Sequence, residues 1–255
     1  MERFAANPTA SIPDARDSWS ETCAAYRFLG NAKAAWRDIL APHWEQTQAR
    51  MRAQPVVLCI QDTTELDFNG QETTGLGPLN YEARRGMHLH PTYAVTPGRE
   101  SLGVLDAWMW AREKRDADGV RPGQKASARW IEGYERVAEM AAEMPDTRLV
   151  YLADREADLV AMMGRARDLG TPADWLVRGK HNRCRPEATA ASCGITPQLG
   201  KRWAKSHSRC RAEKQKARTV RQQLWARAVD IADGGRLAAS PPHAWWRARW
   251  APRRR

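Results

Sequence analysis

"LVYLADREADLV" (Leu149–Val160) decides the fold of this chain, because an apolar run ends there on a cluster of charges. Short apolar runs are typical of buried strands, so Leu149–Ala153 predicts a strand. Asp154 follows that strand directly. A single Asp at such a place is usually a helix N-cap or a loop residue, and Asp158, just ahead of the next helical pattern, is predicted to cap that helix.

A second apolar run ends in the same way. "VVLCI" (Val56–Ile60) predicts a strand buried on both faces, and Asp62 follows it after Gln61. If the two strands are neighbours, Asp62 and Asp154 meet at one sheet edge, where like charges repel unless a cation lies between them. Carboxylate oxygen is the ligand that Mg²⁺ prefers. Two such ions about 4 Å apart can activate a hydroxyl and stabilise the leaving oxygen in phosphoryl transfer, so the pair predicts a metal site.

Periodicity elsewhere predicts an α/β fold with a mixed sheet flanked by helices. The capping box "SWSE" (Ser18–Glu21) opens a helix that stops at Gly30; a second helix is expected to end at Leu40 and a third to begin after Pro42. Strands are predicted within "MHLHPTYAV", "SLGVLDAWMWA" and "DWLVRG", and helices within "SARWIEGYERVAEMAAEM" and "DLVAMMGRARDL".

The charge of the chain is concentrated at its C-terminal end. Residues 184–255 hold 17 Lys and Arg against 4 Asp and Glu, whereas residues 1–183 hold 24 against 26. This block has few core-forming residues and predicts an irregular basic tail, with a regular element only within 217–233. It either binds nucleic acid through Arg and Trp or is translated out of frame. The predicted domains are a helical segment (1–53), a core (54–183) and the tail (184–255).

Membrane insertion is not expected from this sequence. No stretch approaches 18 uncharged apolar residues, and the N-terminal Met-Glu-Arg is followed by no apolar run of the kind found in signal peptides. The expected location is cytoplasmic.

Four motifs together resemble bacterial insertion-sequence transposases of the Tn-five type, over roughly residues 4–183. They are "ETCAAYRFLGN" (Glu21–Asn31), "DTTELDF" (Asp62–Phe68), "DREADLV" (Asp154–Val160) and "WLVRGKH" (Trp175–His181). The resemblance implies a ribonuclease-H-like core that cuts and joins DNA ends with two Mg²⁺ or Mn²⁺ ions held by Asp, Asp and Glu. It implies that Asp62 and Asp154 are the first two catalytic acids and metal ligands. It further implies that the DNA backbone is approached by Arg178, Lys180 and His181.

The third acid of that family is expected on a helix with the pattern Tyr-x2-Arg-x3-Glu-x6-Lys. The last tyrosine of this chain is Tyr151, so the pattern cannot occur after Asp154. The sequence therefore predicts a truncated or frameshifted transposase that is catalytically incomplete. The alternatives are a non-enzymatic DNA-binding or inhibitory fragment and an unstable gene remnant. The expected partners are DNA at the transposon ends and either a second copy of this chain or the full-length transposase. The acids that remain downstream are Glu187, Glu213, Asp230 and Asp233.

Several polar residues near the two acids have competing interpretations. His88 and His90 share a face of a predicted strand, where exposed polar residues are favoured over metal ligands. Glu156 is predicted to be a surface charge in a first helical turn rather than a metal ligand. Thr63 and Thr64 are candidates to orient Asp62 by hydrogen bonding, although threonine is also an ordinary strand residue.

Overall fold

The computed structural model describes most of the first 180 residues together with three later strands. Side chains are described for residues 4, 6–7, 9–15, 17–123, 125 and 127–180, and backbone alone for residues 126, 201–212, 215–229 and 243–250. The chain divides into two compact units, one comprising Met1–Pro122 with Met144–Leu149 and the other Gly123–Glu143 with Val150–Arg255.

Two helices and five strands come first, and helices and strands alternate only after them. In chain order they are α1 (Trp19–Leu29), α2 (Trp36–Arg52), β1 (Val56–Gln61), β2 (Thr64–Asp67), β3 (Gly77–Pro78), β4 (Arg85–Val95), β5 (Ser101–Trp110), α3 (Ala126–Glu143), β6 (Arg148–Ala153), the 3₁₀ helix η1 (Arg155–Ala157), α4 (Val160–Asp168), β7 (Asp174–Val177), β8 (Lys201–Ala212), β9 (Gln215–Val229) and β10 (His243–Trp250).

The strands pair both antiparallel and parallel, and the pairing is described for each unit by itself. In the first unit β4 pairs antiparallel with β1, β2, β3 and β5. In the second unit β6 and β7 run parallel. The prediction of an α/β fold with a mixed sheet is confirmed, while the short strands β2 and β3 were not predicted because four and two residues carry too little periodicity.

The N-terminal helix begins and ends where the sequence indicates. The Ser18 hydroxyl accepts a hydrogen bond from the Glu21 backbone N–H at 3.3 Å, and the helix stops at Gly30. These contacts satisfy backbone groups that have no partner inside the helix. The helix buries Thr22 and Ala25.

The second helix corrects a prediction. Residues Trp36–Arg52 form one helix with Pro42 inside it, so the predicted division into a helix ending at Leu40 and another beginning after Pro42 is wrong. Proline removes one helical hydrogen bond, and the part of α2 that follows Pro42 is held by β5. Arg50 Nε donates to the Leu102 carbonyl at 2.6 Å, and His43 Nε2 accepts from the Val104 backbone N–H at 3.1 Å.

The first strand is fully buried on one face and only partly covered on the other. Val57, Cys59 and Gln61 are buried, whereas Ile60 is 38% exposed and lies opposite Tyr93, which is exposed to the same extent. The prediction that this strand is buried on both faces is therefore wrong, because an apolar run does not by itself reveal how many faces are covered. Burial raises the pKa of the Cys59 thiol to about 12.

The core of the second unit forms between α3 and β6. The predicted helical stripe is buried at Trp130, Tyr134 and Val137. The Tyr134 and Tyr151 rings meet edge to face with centroids 5.6 Å apart, and burial raises the pKa of both phenols, that of Tyr134 to about 12. Their hydroxyls donate to the Ala173 and Trp130 carbonyls at 2.8 Å and 3.2 Å.

The tail contributes three backbone strands to a separate sheet. Strands β8, β9 and β10 pair antiparallel in the order β10-β9-β8. The sequence predicted a regular element only within 217–233, and β9 covers most of that stretch. In the part of the chain that the structure describes, no helix has both the length and the apolar composition needed to cross a bilayer.

Candidate active-site carboxylates and their surroundings

Asp62 lies at the C-terminal end of β1, where it is exposed to solvent. Its Oδ1 accepts a hydrogen bond from the backbone N–H of Thr63 at 2.8 Å. Among the described residues the carboxylate makes no other hydrogen bond or ion pair. One oxygen is thus held by the backbone, and as far as the described residues are concerned Oδ2 is available to a ligand.

Asp154 has the same arrangement at the end of β6. It is half-buried, and its Oδ1 accepts from the backbone N–H of Glu156 at 2.7 Å, capping η1. Within the described part of the chain its Oδ2 has no hydrogen-bonding or charged partner. Glu156 itself is exposed in the first turn of η1, as predicted.

Asp158 does not cap α4, so that prediction is wrong. The helix begins after Leu159, which supplies no side-chain cap. Asp158 is instead 1% exposed, and its Oδ2 accepts from the backbone N–H of Lys180 at 2.6 Å. A hydrogen bond to the segment after β7 compensates part of the cost of burying this carboxylate.

The structure places two of the predicted DNA-contacting residues close to the strand end that carries Asp154. The backbone N–H of Arg178 donates to the carbonyl of Ala153 at 3.2 Å, and Lys180 is held by Asp158 as described above. Both Arg178 and Lys180 are exposed. The third predicted residue, His181, lies outside the described residues.

The two histidines of β4 are buried, so the prediction of an exposed polar face is wrong. His88 and His90 are 0% and 3% exposed. In β4 the inward positions carry the polar side chains while Met87 and Leu89 are half-buried. Trp110 covers both rings, stacking on His88 at 5.2 Å and meeting His90 edge to face at 6.2 Å.

The surroundings of His88 favour the neutral form of its imidazole. Burial lowers the pKa of its imidazole, and Arg112 and Arg121 lower it further, while Glu65 opposes them. The Glu65 carboxylate oxygen lies 3.5 Å from His88 Nε2. His88 and Glu65 therefore form an interaction separate from the carboxylates of Asp62 and Asp154.

Thr63 links the Asp62 strand end to this buried region. Its hydroxyl lies 2.6 Å from His90 Nδ1, while its backbone N–H holds Asp62. Thr64 lies in β2 opposite Leu89 and contributes no hydrogen bond to Asp62. Of the two threonines considered from the sequence, Thr63 is the one that contacts the carboxylate.

The donor set suits a hard cation as far as it is described. Asp62 and Asp154 each offer a carboxylate oxygen, the ligand type that Mg²⁺ and Mn²⁺ prefer. Within the described residues no cluster of three or more His, Cys, Asp or Glu side chains could hold a metal ion. The downstream acids lie outside the residues whose side chains are described, so a shared site for the two aspartates stays a prediction. Those acids are Glu187, Glu213, Asp230 and Asp233.

Comparison with known proteins adds one sequence family and two structures. Residues 1–34 match the family described as transposase DNA-binding. The fold is similar to a piggyBac transposase synaptic complex with hairpin DNA, determined by cryo-EM, with 10% identity over 81% of this chain and a TM-score of 0.31. It is also similar to a crystallised pre-cleavage Mos1 transpososome, with 11% identity over 69% of this chain and a TM-score of 0.24. The chain spans 36% and 56% of the lengths of those two proteins.

The family match falls on a segment to which sequence reasoning assigned no DNA contact. The predicted contacts were the residues after β7 and the basic tail. A signal was present in α1, where Trp19 and Tyr26 are 76% and 51% exposed and Arg27 is also exposed. Large aromatic side chains left in solvent beside a cation are typical of binding surfaces.

Proposed function

We propose that this chain is a transposase that binds DNA through residues 1–34 and carries two acids of a metal-dependent phosphoryl-transfer site. The observation that carries the proposal is the match of residues 1–34 to the transposase DNA-binding family. The sequence motifs around Asp62 and Asp154 support the same function independently of that segment.

The exposed side of α1 has the chemistry of a DNA contact. The helix turns Thr22 and Ala25 inward and leaves Trp19, Tyr26 and Arg27 in solvent. A guanidinium neutralises a phosphate and releases counterions, and aromatic faces stack on bases or sugars. Contacts of this kind give binding whose strength falls steeply with salt.

Asp62 and Asp154 are the residues that would hold Mg²⁺ or Mn²⁺. Each has one carboxylate oxygen fixed by a backbone N–H, which orients the side chain, and among the described residues the other oxygen is left for a cation. When bound, such ions neutralise charge on a phosphate and activate the attacking oxygen. Arg178 and Lys180, exposed after β7, would hold the DNA backbone beside Asp154.

We propose that the chain alone has little end-cleaving or strand-transfer activity. No Tyr-x2-Arg-x3-Glu-x6-Lys pattern follows Asp154, so a third acid of the expected type is not supplied by the sequence. A DNA-binding or inhibitory role is favoured by the same fact and by the basic tail. An active transposase would produce cleaved DNA ends, whereas a DNA-binding or inhibitory protein would not.

DNA binding can be measured with the full chain and a fluorescent duplex at several salt concentrations. Replacing Arg27 and Lys33, both exposed within the matched segment, by Ala should weaken binding and reduce the salt slope by about one for each phosphate that is no longer neutralised. Arg52→Ala, an exposed position in α2 beyond the matched segment, is the control. Equal binding by the double variant and the control would refute a DNA contact through Arg27 and Lys33.

Metal binding can be measured by titrating Mn²⁺ and following its electron paramagnetic resonance signal. Asp62→Asn and Asp154→Asn should each weaken binding strongly. Asp67→Asn is the matched control, because both oxygens of that carboxylate are already engaged by Asn69 and Arg84. Incubation of the same proteins with Mn²⁺ and DNA carrying the terminal repeats then tests activity. Efficient cleavage by the unmodified chain would show that a third acid is present.

A further inference from the structure

We infer that His90, acting through Thr63, is a positioning residue for Asp62 and sets the affinity of that strand end for a divalent cation. The inference rests on the proposed function, in which Asp62 is a metal ligand. It adds two residues that do not touch the metal, and one of them is buried in the neighbouring strand.

Thr63 connects Asp62 to His90 through two hydrogen-bonding contacts. Thr63 presents two groups in two directions: its backbone N–H donates to Asp62 Oδ1 at 2.8 Å, and its hydroxyl lies 2.6 Å from His90 Nδ1. Asp62 is exposed and Thr63 is half-buried, whereas His90 is 3% exposed. These contacts therefore run from solvent into the core through one intervening residue.

The imidazole of His90 is held rigidly in the core. His90 lies at an inward position of β4, its ring packed edge to face against Trp110 at 6.2 Å. A ring held by a paired strand and an indole cannot reorient without disturbing the core. It therefore fixes the Thr63 hydroxyl, and with it the direction of the Thr63 backbone N–H.

The contact with Thr63 orients the carboxylate of Asp62. An exposed carboxylate samples several rotamers, and ordering it at the moment of metal binding costs conformational entropy. With Oδ1 held by Thr63, the carboxylate is oriented before a cation arrives and Oδ2 stays available among the described residues. Groups that orient a metal ligand in this way typically contribute about 10-fold to 100-fold in affinity.

The test is Mn²⁺ affinity of the full chain, measured by electron paramagnetic resonance in variants that keep or remove each contact. Thr63→Val and His90→Leu should weaken Mn²⁺ binding about 10-fold to 100-fold. Thr63→Ser keeps the hydroxyl and His90→Asn keeps a hydrogen-bonding group, so both should bind Mn²⁺ much more tightly than Thr63→Val and His90→Leu. The measurements are made well below the unfolding temperature of each variant.

His88→Leu separates positioning from a weakening of core packing. His88 lies two residues away on the same inward face and stacks on the same Trp110, yet it makes no hydrogen bond with Thr63. His88→Leu should leave Mn²⁺ affinity unchanged even where it lowers the unfolding temperature. Equal weakening by His88→Leu and His90→Leu would overturn the inference, as would unchanged affinity in Thr63→Val.

The outcome distinguishes this inference from the proposed function. If Asp62→Asn weakens Mn²⁺ binding but Thr63→Val does not, Asp62 is a ligand and the positioning role is wrong. If the unmodified chain shows no Mn²⁺ binding sensitive to Asp62→Asn, the metal site itself is refuted and the positioning role with it. Should His90→Leu fail to fold, the comparison of Thr63→Val with Thr63→Ser decides.

Discussion

The buried carboxylate of Asp158 accepts a hydrogen bond from the backbone N–H of Lys180 at 2.6 Å. Together with the Arg178 N–H that donates to the Ala153 carbonyl, this contact fastens the segment after β7 to the end of β6. The basic residues proposed to hold DNA therefore stand on a fixed backbone next to Asp154.

Removal of the Asp158 carboxylate should loosen that segment. Asp158→Ala leaves the Lys180 N–H without this acceptor, and removing a hydrogen bond to a buried charged group costs about 1–3 kcal/mol of unfolding free energy. Asp158→Asn keeps an acceptor and should cost less. Chemical denaturation measures the change, and amide exchange at Lys180 should accelerate selectively. Asp168→Ala is the control, since its ion pair with Arg167 is exposed and should matter by less than about 0.5 kcal/mol.

Substitution by alanine should lower the stability of the protein at Gly103 and raise it at Gly164. Gly103 in β5 has φ +131°, and a Cβ there would collide with Thr47 Oγ1 of α2. Gly103→Ala should therefore destabilise the protein by about 1–3 kcal/mol through backbone strain, with added cost from moving α2. At Gly164 in α4 a Cβ would meet only Arg167 Nη2 at 4.0 Å. Gly164→Ala should stabilise by about 0.5–1 kcal/mol, because glycine is a poor helix former. Thermal unfolding of both variants tests the difference, and two changes of the same sign would contradict it.

The fold could be predicted largely because local signals agreed with tertiary packing. Ser18 and Gly30 bound α1 as their capping chemistry indicates, and the stripe of Trp130, Tyr134 and Val137 packs as its helical spacing indicates. Where local and tertiary effects competed, the sequence was misleading. Pro42 is normally a helix breaker, but it lies inside α2, and the part of the helix that follows it contacts β5.

Less of the candidate site could be predicted from the sequence. Strand-end positions for Asp62 and Asp154 follow from apolar runs and are observed. The burial of His88 and His90 could not be read from the alternating pattern, because the buried face of β4 is the one that carries the polar residues, and Trp110 covers both rings. The contact from His90 to Thr63 joins residues 27 positions apart and depends on the pairing of strands.

Tyr134 and Tyr151 of the second unit should contribute to the stability of the protein through both ring packing and hydrogen bonding. Tyr134→Phe and Tyr151→Phe each remove one hydroxyl bond to a buried carbonyl and should cost about 0.5–1.5 kcal/mol of unfolding free energy. Tyr134→Ala also removes the edge-to-face ring contact and should cost about 3–5 kcal/mol. Tyr81→Phe is the control, because that residue is 70% exposed. An equal decrease in stability in the control would show that the hydroxyl contacts contribute nothing.

Stability should depend on pH through His88. Its pKa in the folded protein is lower than the ordinary value of 6.5, because the ring is buried and because Arg112 and Arg121 lie near, with Glu65 only partly offsetting them. As pH falls through 6.5 the unfolded chain binds a proton before the folded protein does, so this contribution to stability is present above pH 6.5 and is lost as pH falls toward the folded pKa.

The measurement is the free energy of unfolding between about pH 8 and about pH 5, with the slope approaching about 1.4 kcal/mol per pH unit for one proton. His88→Asn keeps a polar side chain that does not titrate, and its stability should fall less steeply below pH 6.5 than that of the unmodified protein. Because Glu65, Arg112 and Arg121 stay in place, their own effects are common to both proteins and cancel in the comparison. Parallel pH profiles for the two proteins would mean that His88 is protonated equally in the folded and unfolded states, contrary to its burial beneath Trp110.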